Sequence, residues 1–153
     1  MAMPEGSGPT PEQVQEDLIR LDAYRSQLNA LVQQHQILTA SRQDHLRARE
    51  SLAGIDSSSA GDEMLVPLGG ETFVRGTVRR DAPVLIGVGS GVAAEMDRAK
   101  ASEVVAQRID RIEQTIREIE GQMQTVDERI QLLSRKLDAV ARAQGAPSDV
   151  GRH

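Results

Sequence analysis

The chain has 153 residues, a net charge of −5 with both signs interspersed along its length, no Cys and no Trp. Its aromatic residues are Tyr24 and Phe73 alone, so a core must come from aliphatic side chains spread over an extended surface. Disulfides and thiolate metal sites are excluded, and there is no basic stripe with aromatic platforms of the kind that binds nucleic acid.

In chain order, residues 1–11 are rich in Gly, Pro and Ser and are expected to form a disordered tail. They lack the basic-then-apolar order of a secretory signal, and no later run approaches the roughly 18 apolar residues of a membrane span, so a cytoplasmic location is expected. A helix is predicted over 12–54. Thr10 can cap it, Pro11 suits its first position, and Gln13 completes a capping box. Gly54 predicts a left-handed C-cap, with Ile55 as the apolar contact that follows. The apolar residues fall on two heptad tracks. One holds Val14, Leu21 and Leu28, then His35, Arg42 and Arg49; the other holds Asp17, Tyr24, Leu31, Leu38, His45 and Leu52.

A polar linker is predicted over 55–62. From 63 to 95 the period becomes strand-like, with strands expected at 63–68, 71–79, 84–88 and 91–95. Gly69-Gly70 suits a two-residue hairpin turn, and Gly89-Ser90-Gly91 suits another. Pro67 predicts an edge strand, and Gly76 a bulge or close backbone approach. These strands are apolar on both faces and too few to cover themselves, so other subunits are expected to cover them. The candidate residues for that assembly hub are Leu65, Val66, Leu68, Phe73, Val74, Val84, Leu85, Ile86 and Val88.

A second helix is predicted over 96–144, with a loose tail at 145–153. Its seam is apolar at every position from Val105 through Ile109, Ile112, Ile116, Ile119, Met123, Val126, Ile130, Leu133 and Leu137 to Val140. Alternating steps of four and three specify a left-handed supercoil with a partner helix, and the first helix carries the only comparable stripe. An even number of up-and-down strands between the helices predicts an antiparallel pair. The matching register sets Val14 on Val140, Leu21 on Leu133, Leu28 on Val126 and Leu31 on Met123. Asp17 would then face Leu137, leaving the end of the pair under-packed and Leu18, Leu137 and Val140 partly available.

The remaining polar features read as structural. Gly87, Gly89 and Gly91 lack the phosphate-loop spacing. His35 and His45 lie ten residues apart on the seam, which is not ligand spacing on one helical turn. Glu16/Arg20 and Glu113/Arg117 read as helix-face pairs, and Arg75, Arg79 and Arg80 as an exposed turn. No catalytic, cofactor-binding or metal-ligating constellation is expected, and no enzyme.

The β region carries a resemblance. Glu63-Met64-Leu65-Val66-Pro67-Leu68-Gly69, Phe73-Val74-Arg75-Gly76-Thr77-Val78, and Val84 to Val88 followed by Gly89-Ser90-Gly91-Val92-Ala93-Ala94-Glu95 resemble the strands of the prefoldin family. Two hairpins rather than one point to its alpha class. The resemblance implies an α+β, mostly α fold: a long antiparallel two-helix coiled coil with two central β-hairpins forming an oligomerisation hub. It further implies two copies of this chain with four beta-type subunits, and an ATP-independent chaperone. Such a complex holds unfolded proteins at its coiled-coil tips and delivers them to a group II chaperonin. The client-binding candidates are Val14, Leu18, Leu21, Leu133, Leu137 and Val140. The alternative is a structural scaffold or tether multimerised through the β segment.

Overall fold

A computed structural model describes residues 8–57, 61–79 and 81–145. The elements are α1 (Pro11–Ser57), β1 (Glu63–Gly69), β2 (Thr72–Thr77), β3 (Val84–Gly89), β4 (Val92–Met96) and α2 (Arg98–Gly145). The chain divides into two compact units, one joining Met1–Ile37 to Ile116–His153 and the other comprising Leu38–Thr115. The tails predicted at 1–11 and 145–153 fall largely outside the described residues, as does Arg80.

Both helices start on caps. At α1 the Thr10 amide donates to Gln13 Oε1 (2.9 Å) and the Gln13 amide to Thr10 Oγ1 (3.2 Å), the reciprocal pair the sequence predicts. At α2 the Lys100 amide donates to Asp97 Oδ1 (2.7 Å), satisfying one of the orphan donors of the first turn. The far end of α1 differs from expectation. The helix runs through Gly54 to Ser57, and Gly54 does not take a left-handed φ. Leu52 is buried in the core of the second unit, and the Arg98 guanidinium donates to the Ile55 carbonyl (3.4 Å). These tertiary contacts outweigh the roughly 1 kcal/mol that glycine costs inside a helix.

In the first unit the two helical segments pair antiparallel along an apolar seam. Leu21, Leu31, Ile116, Ile119, Val126 and Leu133 are buried. Polar contacts that cross the seam include Asp17 with Lys136, the Arg129 guanidinium over the Tyr24 ring (5.8 Å), and His35 with Glu120 (2.9 Å). Each lies one residue from the layer partner that the heptad register assigns, namely Leu137, Ile130 and Ile119.

In the second unit β1 pairs with β2, and β3 with β4, as separate two-stranded antiparallel sheets. The hairpins share one design. Each has an irregularity just before its turn, between Pro67 and Gly69 and between Gly87 and Gly89. The turns are Gly70-Glu71 and Ser90-Gly91, with φ of 53° and 59° in the first and 53° and 74° in the second. Positive φ at both central residues gives the turn hand that matches strand twist. The first turn thus sits one residue later than predicted, because Gly69 (φ 104°) belongs to the irregularity. Gly76 marks no close approach; a Cβ there would lie 3.6 Å from Val66 Cγ2, an ordinary contact, and its pairing with Met64 is regular.

The core of this unit joins Leu52, Ile86, Ala101, Val105 and Ile109, with Leu46, Val84, Met96 and Val104 packed against it. The helices therefore cover one face of the second hairpin. The Arg108 guanidinium fastens it by donating to the Gly87 carbonyl (2.6 Å). The first hairpin has no such cover: Met64, Leu65, Val66, Leu68, Phe73 and Val74 are all exposed, from 37% to 66%.

Candidate functional site

The first candidate surface lies in the first unit, where α1 begins and α2 finishes. Gly8 and Pro9 form one wall of a mainly apolar groove of about 370 Å³, and Lys136, Ala139, Val140, Ala143 and Gln144 form the other. Val14, Leu137 and Val140 are half-buried, and Leu18 is exposed. Leu21 and Leu133, which the sequence places among the tip candidates, are buried in the seam, so another molecule reaches them only if the helices part. Heptad reading missed Ile19 and Leu132, exposed at 62% and 68%. They lie off the seam, and the signal that finds them is a large aliphatic at an outward heptad position.

Asp17 does not stand unpaired against Leu137. It is buried, its Oδ2 lies 2.6 Å from Lys136 Nζ, and its Oδ1 lies 3.8 Å from the Arg20 guanidinium. Arg20 was expected to pair with Glu16; the shorter step to Asp17 takes it instead. The tip is thus ion-paired at one layer and loosely packed beyond it.

The second candidate surface is the uncovered part of the hairpins. Leu65, Val66, Leu68, Phe73 and Val74 on the first hairpin, and Leu85 and Val88 on the second, are exposed. Ile86 and Val84 are not. Ile86 is 6% exposed and Val84 packs beside it in the chain's own core, so the alternation of β3 assigns these two inward and Leu85 outward. Arg75 pairs with Glu63 (3.2 Å) and Arg79 with Asp81 (3.5 Å), both at the surface.

Among the described residues no group of three or more His, Cys, Asp or Glu is placed to hold a metal ion. His35 is taken up by Glu120 and His45 by the carbonyl of Ser41 (2.7 Å). No helix among the described residues is long and apolar enough to cross a membrane. Gly87 and Gly89 flank the irregularity of the second hairpin, and Gly91 sits in its turn.

Comparison with known proteins agrees with this architecture. The family model for the Prefoldin subunit matches residues 24–143. Prefoldin subunit alpha of Methanoculleus marisnigri is 26% identical over 132 residues, covering 86% of this chain and 88% of its own. Prefoldin subunit alpha of Methanobrevibacter smithii is 30% identical over 138 residues, covering 88% and 92%. Among solved structures, a filamentous PFD from Methanocaldococcus jannaschii superposes with a TM-score of 0.64 at 21% identity, over 79% of this chain and 98% of that one. The prefoldin beta subunit from Thermococcus strain KS-1 gives 0.58 at 20% identity, over 88% and 96%; at these identities the likeness is one of fold. Sequence relatives matched over most of their length leave one assignment: the chain belongs to the prefoldin family, with its alpha subunits, and is a chaperone subunit rather than an enzyme.

Proposed function

We propose that this subunit holds unfolded polypeptide on the aliphatic end of its first unit, without ATP, and that the complex it belongs to passes that polypeptide to a group II chaperonin in the cytoplasm. The observation that carries the reading is the exposure of Leu18 (48%), one helical turn from half-buried Val14, together with half-buried Leu137 and Val140 and the apolar groove that Val140 lines. Aliphatic contacts are non-directional and tolerate any apolar sequence. Single contacts of this size are weak, and several tips engaging one chain raise avidity without a tight single site.

The hairpins serve assembly in this reading. Two copies of this chain join through the first hairpin and the outer face of the second, and four beta-type subunits dock around them. Exposed apolar residues on both faces of the first hairpin support this, since a two-stranded sheet of that kind is marginal without a cover.

Native mass spectrometry of the complex recovered from its own cells tests the assembly. Two copies of this chain with four smaller coiled-coil subunits is the expected composition, and any other overturns that part. Replacing Leu18, Leu137 and Val140 together by Ser tests the holding surface. The complex should still assemble but suppress aggregation of an unfolded protein poorly. Intact assembly with undiminished suppression would leave only a scaffold or tether.

A further inference from the structure

The seam of the first unit has two parts, and a single layer divides them. On one side buried Leu21, Leu31, Ile116, Ile119, Val126 and Leu133, each less than a tenth exposed, alternate with half-buried Tyr24, Leu28, Met123 and Ile130. On the other Val14, Leu137 and Val140 are only half-buried, beside the open groove. At the divide sits Asp17, 5% exposed and the only charged residue buried among those described. Its Oδ2 lies 2.6 Å from Lys136 Nζ and its Oδ1 a longer 3.8 Å from Arg20; the carboxylate is buried, and both cations are more than half exposed.

A buried carboxylate is tolerated only where a cation stays close to it. The Lys136 stem must therefore lie along the seam to reach Asp17, and Leu137, the next residue, has a carboxylate rather than an apolar side chain across from it. Close packing cannot continue through that layer. The other polar seam residue behaves differently. The His35 side chain is 30% exposed, its partner Glu120 is 55% exposed, and the layers on both sides, Leu31 and Ile116, stay buried. The difference lies in the seam residue itself: His35 keeps part of its ring in solvent, whereas the Asp17 carboxylate is buried and draws in a cation, Lys136, whose own side chain stays 53% exposed.

We propose that the Asp17–Lys136 pair is a stop built into the seam, ending the close-packed part of the helix pair and holding Val14, Leu137 and Val140 parted for bulky apolar side chains of unfolded polypeptide. This rests on the client-holding reading above. Asp17 and Lys136 are positioning residues in it and need not touch the client.

The test uses the full chain in its native complex, with Asp17→Leu and Lys136→Leu combined so that no charge is left buried. The layer should then close. Amide exchange over 12–20 and 136–143 should slow by about tenfold or more, the scale set by replacing a buried ion pair with an apolar one. Binding of a reduced, permanently unfolded lactalbumin should weaken at least about threefold, since uncompensated closure removes apolar surface. Asp17→Asn alone, which keeps a polar group and releases Lys136, should speed exchange over the same segments while binding is kept. Exchange that does not slow in the double variant overturns the proposal, and so does slowed exchange with undiminished binding. Leu18→Ser, measured in parallel, separates the two ideas. Loss of binding there but not in the double variant removes the stop and keeps the client surface; loss in neither removes the client surface itself.

Discussion

Leu85 and Ile86 are neighbours on β3 with opposite fates, 65% and 6% exposed, and exchanging each for Ala should separate folding from assembly. Ile86→Ala removes three carbons from a packed core. At about 0.8 kcal/mol per carbon the loss is about 2.4 kcal/mol, and the unfilled cavity carries it into the range of about 2–5 kcal/mol. For a chain of this size the lower figure is a fall in Tm of roughly 5–10 °C. Leu85→Ala removes a side chain only about one-third buried within its own chain, so the same scaling gives about 0.8 kcal/mol. Its larger loss should come from the subunit interface, where about 1.4 kcal/mol is a tenfold change in dissociation constant. Thermal unfolding of the complex, followed by circular dichroism over about a hundredfold range of concentration, distinguishes the two. Ile86→Ala should lower Tm by a similar amount at every concentration. The deficit of Leu85→Ala should grow on dilution. Equal, concentration-independent losses would refute the assignment of faces on this hairpin.

Three further outcomes follow from local geometry. Thr10→Ala removes the acceptor of the Gln13 amide and should cost about 1 kcal/mol, seen as faster amide exchange in the first turn of α1 with assembly unchanged. Glu71→Gly relieves a side chain held at φ 59° and should raise stability by about 0.5–1 kcal/mol, whereas Gly69→Ala, at φ 104°, should lower it; denaturant titration reads both. Leu28→Cys with Val126→Cys should oxidise to a disulfide readily. Leu28→Cys with Leu133→Cys, one heptad or about 10 Å away, should not, and the reverse result would mean that the helices pair in another register.

The helices were legible because a seam unbroken from Val105 to Val140 admits few alternatives, and the Thr10–Gln13 cap because its chemistry is local. The hairpins were legible from the change of period and the glycine pairs. What escaped was set by contacts across the fold. Gly54 carries a local stop signal that the burial of Leu52 and the Arg98–Ile55 contact override. Ile86 and Leu85 are equally apolar, so only the helices beneath β3 decide which turns inward. Lys136 lies outside the heptad track, so nothing in the periodicity joins it to Asp17. Ile19 and Leu132 were passed over for the same reason: a seam draws the eye to the residues on it, and these lie on the outside.

The unequal cover of the two hairpins has a consequence for the cell. A copy of this chain made without partners still has one face of its second hairpin covered, but its first presents Met64 to Leu68 as an apolar strand with an open edge. Such edges template pairing between copies, and here only Pro67 and the Glu63–Arg75 ion pair blunt it. A copy whose first hairpin stays uncovered would therefore be open to pairing with further copies, and the more so the larger its surplus over whatever covers that hairpin.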